Sequence, residues 1–274
     1  MIRKVEAEKI KETVARLCIE ANFNLRPDVL KALKLAYRLE TNKRARNILK
    51  AIMDNAEIAK DEKLAICQDT GLPVVFVELG QDAHIVGGLL NDAINKGVEA
   101  GYRKGYLRES IVRDPVLRGR PKYGPAVIHT EIVKGDKIKL TVLPKGFGCE
   151  NKGRVRMFKP TADKNQIKEF IIDVVKAAGP DACPPFVIGI GIGGTQDYAC
   201  LLAKKALLKK INVGARHALP LLKEVNKLNI GPMGLGGKTT ALAVNIQTYP
   251  THIAGLPVCV NISCHATRSA TAII

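Results

Sequence analysis

Residues 186–194 read FVIGIGIGG, a short apolar run with Pro184 and Pro185 before it and a glycine pair at its end. A run of this length, bounded in this way, is a fully buried strand. The amphipathic stretch YACLLAKKALLKK that follows is a helix. A buried strand leading into a helix commits the chain to an α/β arrangement. Residues 189–194 also satisfy GxGxxG, the pattern that opens a dinucleotide site when an acidic residue follows about 20 positions later. Between Asp197 and Glu224 there is no Asp or Glu, and no clear βαβ partner follows the strand. A nicotinamide-dependent oxidoreductase is therefore disfavoured. The glycines let backbone approach closely, either to a ligand or to pack the helix on the sheet.

Elsewhere the pattern alternates between periods. Residues 5–60 are helical: Ile10, Val14, Leu17 and Ala21 mark one apolar face, and Val29, Leu30, Leu33 and Ala36 mark the next. Pro27 suits a first turn, and a third helix is expected over 42–59. PVVFVELG (73–80) reads as a strand and residues 84–105 as a helix interrupted by glycines. Residues 107–125 hold too many prolines, glycines and arginines for a regular element, and a loop this long is usually functional. AVIHTEIV and KIKLTVLP are expected to form a hairpin across the KGD turn. Residues 145–160 are glycine-rich and polar. NQIKEFIIDVVKAAG is a helix capped near Thr161 or Asp163 and stopped by Gly179-Pro180. TTALAVNIQTYP and PVCVNISC are two late strands. Hairpins beside helical connections predict a mixed sheet with flanking helices. No internal repeat or linker is visible, so one α/β domain over 1–274 is expected, with residues 1–60 as its helical N-terminal layer.

At 274 residues the chain can bury a substantial core. No apolar run suggests a membrane span. The charged start MIRKVEAEKIKETV has no apolar signal region, so a cytoplasmic protein is expected. The net charge of +17 is scattered rather than gathered in a tail, and aromatics make up 4% with no Trp. Stacking platforms for nucleic acid are thus poorly supplied, although a basic, non-catalytic binding protein remains an alternative.

Seven cysteines without a CxxC pattern suggest neither a disulfide framework nor a zinc ribbon. Cys18 and Cys200 sit in helical apolar patterns and read as packing residues. Cys67 (CQDTG), Cys183 (ACPPF) and Cys264 (SCHATR) lie in loop-like stretches instead. Any one of them alone could be a packed thiol. Three together suit a metal or cluster gathered by tertiary structure. Three thiolates on a four-iron cluster leave one iron open to a substrate's carboxylate and hydroxyl. A carboxylate close by, such as Asp69, could then move the proton.

Five stretches now align in order: CQDTG, the KGxGxEN pattern at 145–151, CPPxxIGIxIGGT at 183–195, MGLGGK at 233–238 and SCxAxR at 263–268. From about residue 10 onward the chain resembles the N-terminal half of the class I iron–sulfur fumarate hydratases. It is also similar to the alpha subunits of two-subunit fumarases and L-tartrate dehydratases. The resemblance implies a [4Fe–4S] cluster on Cys67, Cys183 and Cys264, and Asp69 as the group that protonates the leaving hydroxyl. It implies substrate contacts from Gln68, from Arg108 (with Arg113 as near rival), and from the glycine loop of Gly146 and Gly148 beside Asn151. The family's usual KGGGS is KGFGC here, so Phe147 either points away from the backbone-to-substrate contact or narrows the pocket, and Cys149 stands close to the site without being a ligand. His265 and Arg268 could tune or shield the cluster. The expected reaction is reversible hydration of fumarate to (S)-malate, with L-tartrate dehydration as its rival. The chain ends where single-chain relatives continue into the domain that bears the base. A beta subunit is therefore expected as partner, with an alpha–alpha dimer inside a heterotetramer.

Overall fold

The computed structural model describes residues 2–211 and 219–274. In chain order the elements are β1 (Arg3–Glu6), α1 (Ala7–Phe23), α2 (Pro27–Leu39), α3 (Lys43–Asp61), β2 (Leu72–Gly80), β3 (Ala83–Val86) and α4 (Leu90–Lys104). β4 (Val127–Val133), β5 (Ile138–Lys145), α5 (Phe147–Glu150), β6 (Arg154–Phe158) and α6 (Lys164–Ala178) follow. The chain closes with β7 (Phe186–Gly194), α7 (Gln196–Ala206), α8 (Leu219–Asn226), β8 (Ala241–Thr251), β9 (Leu256–Ser263) and β10 (Ala270–Ile273). The mixed α/β class is as expected. No helix among the described residues is long and apolar enough to cross a membrane.

Two compact units emerge. The first contains residues 1–25, 56–146 and 268–274, and the second 26–55 and 147–267. The three N-terminal helices form as expected, with Pro27 in the first turn of α2, but they are divided between the units. In the first unit α1 packs along α4, close enough that a Cβ on Gly97 or Gly101 would lie 2.6 or 2.5 Å from the Lys11 or Ala15 carbonyl oxygen. Ile10, Val14, Leu17, Ile94 and Val98 meet Val75, Leu140 and Val142 of the sheet in one buried cluster. In the second unit α6 starts at a full capping box, in which Asp163 Oδ1 accepts from Gln166 N at 2.9 Å and Gln166 Oε1 from Asp163 N at 3.0 Å. Its Ile171, Val174 and Val175 pack on Ile188, Ile190, Val258 and Val260.

Each unit holds a four-stranded sheet, ordered β10-β5-β2-β4 in the first and β6-β9-β7-β8 in the second. The two share one plan. A central strand (β2, β7) has a parallel neighbour on one side (β4, β8) and an antiparallel neighbour on the other (β5, β9). This corrects the expected hairpin: β4 and β5 do not pair with each other but flank β2. The KGD connection instead wraps across the end of β2, where Gly80 N donates to Lys137 O at 2.9 Å and Asp82 N to Gly135 O at 2.9 Å. Only glycine at position 80 allows that crossing, because a Cβ there would lie 2.4 Å from Gly135 O. Residues 84–105 are likewise not one helix, since β3 pairs in parallel with β1 before α4 begins.

The glycine run of β7 is part of the strand. A Cβ on Gly189 or Gly191 would stand 2.1 or 2.0 Å from the carbonyl oxygens of Ala203 or Ala199. Those glycines seat α7 on the sheet.

Candidate active site

The shared plan places the sequence motifs at one kind of position. CQDTG immediately precedes β2, and Cys183 immediately precedes the paired prolines that lead into β7. The antiparallel neighbour of each central strand ends beside that start, as the pairings Leu72↔Lys145 and Val187↔Ser263 show. Hence Gly146 follows β5 next to the Asp69 loop, and Cys264 follows β9 next to Cys183. Both clusters sit at the amino end of the central strand. Open parallel sheets usually place ligands at the carboxyl end, but here antiparallel neighbours deliver their own ends to the amino side.

In the first unit, Asp69 closes a short turn by accepting from Gly71 N through Oδ1 at 2.9 Å. Its other oxygen lies 3.2 Å from where a Cβ of Gly146 would be, so a side chain at that position would press on the carboxylate. Gly71 has φ +75°, and a Cβ there would lie 2.7 Å from the Pro144 carbonyl carbon, which presses the loop flat on the end of β5. Thr70 is buried and accepts from Arg108 N through Oγ1 at 3.0 Å. The Tyr102 hydroxyl reaches Thr70 O at 2.9 Å and Gly71 O at 3.1 Å. Burial pushes the Tyr102 hydroxyl well above the usual phenol range, so it stays a donor. Arg268 Nη2 donates to the Asp69 carbonyl, and the Arg268 side chain is buried. The side chains of Gln68 and Arg108 are exposed and joined, Arg108 Nη1 donating to Gln68 Oε1 at 2.7 Å. Arg113 lies further along the same loop, exposed.

In the second unit, the remaining motifs converge on 180–184. Cys183 takes a left-handed conformation at φ +53°, and its carbonyl accepts from His265 N at 3.3 Å and faces His265 Nδ1 at 3.0 Å. His265 is therefore satisfied by backbone. The Cys264 carbonyl accepts from Thr267 N at 3.0 Å and Thr267 Oγ1 at 2.8 Å, closing the turn that carries it. The buried Cys149 thiol donates to Ala182 O at 3.3 Å, and a Cβ on Gly148 would lie 3.8 Å from Asp181 O. Met233 N, from MGLGGK, donates to Pro184 O at 2.8 Å. Phe147 is 47% exposed and takes no part in the core.

The thiols separate into two environments. Cys67, Cys183 and Cys264 are half-buried in loops, whereas Cys18, Cys149 and Cys259 are buried. Burial raises Cys18 and Cys259 well above the ordinary thiol range, with Cys200 beside Cys259 adding to the latter effect. Inert thiols of that kind make poor metal ligands. Among the described residues, no three His, Cys, Asp or Glu groups gather around a single metal ion. A four-iron cluster has no such requirement, because each thiolate binds its own iron at a separate corner. Within the second unit, Cys183 and Cys264 lie on hydrogen-bonded turns joined by the bond from His265 N to Cys183 O.

Sequence reasoning missed Thr70, Tyr102 and Met233. Thr70 and Met233 lie inside motifs without a signal of their own, and Tyr102 lies outside them and is brought to the Asp69 loop only by the fold.

Comparison with known proteins follows the same outline. The family model for fumarate hydratase (fumerase) matches residues 11–273. The chain is 39% identical over 277 residues to the "Putative L(+)-tartrate dehydratase subunit alpha" of Methanocaldococcus jannaschii, covering 96% of each chain. It is 30% identical over 275 residues to the L(+)-tartrate dehydratase subunit alpha of Escherichia coli strain UTI89, covering 96% of this chain and 90% of that one. With the match running through all five motifs and nearly the whole fold, the chain belongs to the fumarate hydratase (fumerase) family of hydro-lyases.

Proposed function

We propose that this chain is the alpha subunit of a [4Fe–4S]-dependent hydro-lyase that interconverts fumarate and (S)-malate and works with a beta subunit. The observation that carries the reading is the Asp69 carboxylate, turned toward the bare face of Gly146 in the loop that also bears Cys67, Gln68 and the Arg108 contact. Cys67, Cys183 and Cys264 would hold the cluster. When bound, it supplies Lewis-acid polarisation of a substrate hydroxyl and carboxylate.

The chain's own residues then have distinct tasks. Asp69 is placed to exchange a proton with the hydroxyl oxygen, giving it up as the hydroxyl leaves as water and taking it back in hydration. Its turn hydrogen bond from Gly71 N fixes the orientation of the carboxylate. Arg108 offers a guanidinium to a substrate carboxylate while Gln68 holds its position. The glycine loop at Gly146 and Gly148 admits substrate close to backbone. The net positive charge of +17 draws a dianion toward the protein, an effect that salt weakens. The second proton, on the carbon beside the leaving group, needs a base on the opposite face. That base is assigned to the beta subunit, consistent with relatives named as alpha subunits. Free thiols and an oxygen-sensitive cofactor suit the cytoplasm, and an alpha–alpha dimer within a heterotetramer is the proposed assembly.

L-tartrate is the second reading, favoured by the names of those same relatives. Reconstituting the chain with its beta chain under anaerobic conditions and assaying malate and L-tartrate side by side separates the two. A malate preference of tenfold or more in kcat/KM supports the first reading, and the reverse preference supports the second. Turnover by the alpha chain alone, with no second polypeptide present, would sink the subunit assignment.

A further inference from the structure

Residues 107–125, between α4 and β4, form an arm fixed at both roots. At the outgoing root Arg108 N is bound to Thr70 Oγ1 at 3.0 Å. At the returning root Ala126 N donates to Asn95 Oδ1 at 2.9 Å. Tyr123 there packs beside Tyr102, with ring centroids 6.5 Å apart, and against the Arg103 guanidinium at 5.3 Å. Midway, Ile111 and Lys122 exchange backbone hydrogen bonds of 3.0 and 2.8 Å. The tip is a closed turn: Asp114 Oδ1 accepts from Val116 N and Leu117 N, both at 2.8 Å, and Arg118 N returns to Asp114 O at 3.0 Å. Those two donors hold the Asp114 carboxyl below its ordinary range.

This ordered turn displays Val116 and Leu117 at 82% and 83% exposure. Arg113, Arg118 and Arg120, all exposed, surround them. Resting on the reading that this chain acts with a second one, we propose that the arm is the docking element for the beta subunit, its two aliphatic side chains entering an apolar pocket with an acidic rim. Three observations support this occupant. The first is place: the pairing Val74↔Val127 sets the arm's return at the same sheet end as the Asp69 loop, and its outgoing root is Arg108 itself. A chain seated on the arm is thereby held beside the site it must complete. The second is chemistry, since an apolar centre ringed by polar, guanidinium-bearing side chains is the anatomy of a protein interface. Residues 109–121 contain no aromatic, so base stacking is not offered. The third is local charge: facing the same arm of a second copy, Arg113, Arg118 and Arg120 would meet like charge, whereas an acidic rim is steered in.

The test compares the full-length chain with a Val116→Asp/Leu117→Asp variant and an Arg113→Glu/Arg118→Glu/Arg120→Glu variant, each titrated with the purified beta chain. The aspartate pair is expected to weaken association roughly 30-fold or more. The charge reversal should slow association and flatten its salt dependence. Both variants should keep the wild-type melting curve, because the tip adds nothing to the core. Unchanged affinity in the aspartate variant overturns the arm's role while leaving the two-chain reading intact. Failure of the wild-type chain to bind the beta chain at all overturns both. A concentration-dependent dimer of the chain alone, lost in the aspartate variant, would make a second copy the occupant. Arm-dependent binding to phosphatidylserine vesicles would make it a membrane, and either result overturns the proposal.

Discussion

Arg108 and Gln68, forty residues apart in sequence, are joined by a 2.7 Å hydrogen bond from Nη1 to Oε1. The bond holds a long, exposed cation in one direction, which lowers the rotamer freedom it would otherwise lose on meeting a carboxylate. Arg108→Ala should raise KM by roughly 10- to 100-fold with a smaller change in kcat. Gln68→Ala should raise KM less, and the double variant should fall short of the product of the two. A double-mutant cycle on KM with coupling near zero would show that the contact does not matter in the complex.

The cluster assignment makes a selective claim about thiols. Cys67→Ser, Cys183→Ser and Cys264→Ser should each abolish stable iron incorporation after anaerobic reconstitution, measured as iron per chain and visible absorbance. Cys18→Ser, Cys200→Ser and Cys259→Ser should retain iron, although the buried Cys18 and Cys259 positions should lose stability. Cys149→Ser is the sharper case, because the serine hydroxyl can keep the bond to Ala182 O. It should bind iron normally, and loss of iron there with retention in Cys264→Ser would reverse the assignment.

Local chemistry was legible and pairing was not. The helical faces of Ile10–Ala21 and Val29–Ala36, the Asp163 cap and the Pro27 start all depend on neighbours within a few residues, and all are found. The hairpin was misread because alternation shows that β4 and β5 are strands but not which strand each joins. Gly80, the residue that lets the connection cross β2, looks like any strand end. β6 escaped notice because RVRMF puts two arginines on a solvent side, and β1 and β10 because each has only four residues. The candidate site residues inside motifs were named from resemblance. Tyr102 was not, since its function depends on the close packing of α4 on α1 and not on anything beside it in sequence.

Arg26 and Asp28 form an acid-sensitive element. Arg26 donates to Leu207 O and Lys209 O, both at 2.8 Å, and through Nε to Asp28 Oδ1 at 3.0 Å. Asp28 Oδ2 in turn accepts from Ile211 N at 2.7 Å. Burial pushes the Asp28 carboxyl upward, but the Arg26 hydrogen bond, the Ile211 N–H and the Arg26 charge outweigh it and hold the group below its ordinary 3.8. A folded-state value below the unfolded one means stability that is present above the unfolded pKa and lost as pH falls through the folded one. Asp28→Asn should therefore destabilise by about 2 kcal/mol at pH 7. The gap from wild type should close below about pH 3.8. A gap in denaturation midpoint that stays constant down to pH 3 would argue against a charge effect.

Arg268 and Asp69 are joined through backbone, not carboxylate: Nη2 donates to the Asp69 carbonyl, while the buried Nε has no partner among the described residues. Arg268 is thus a positioning residue for the loop, with the Tyr102 hydroxyl holding the next two carbonyls. The consequences of altering the two residues should differ in kind. Asp69→Asn preserves shape but cannot exchange a proton, so kcat should fall by roughly 10²-fold or more while KM and iron content stay close to wild type. Arg268→Met leaves the Asp69 carbonyl without its donor and loosens the loop, so kcat should fall about tenfold. Arg268→Lys, which keeps one donor and the charge, should recover part of that loss. If Arg268→Met lowers the melting temperature but leaves kcat untouched, the arginine serves the fold alone. If Asp69→Asn turns over as fast as wild type, the proton reaches the hydroxyl from another group, and the carboxylate beside Gly146 is not the acid.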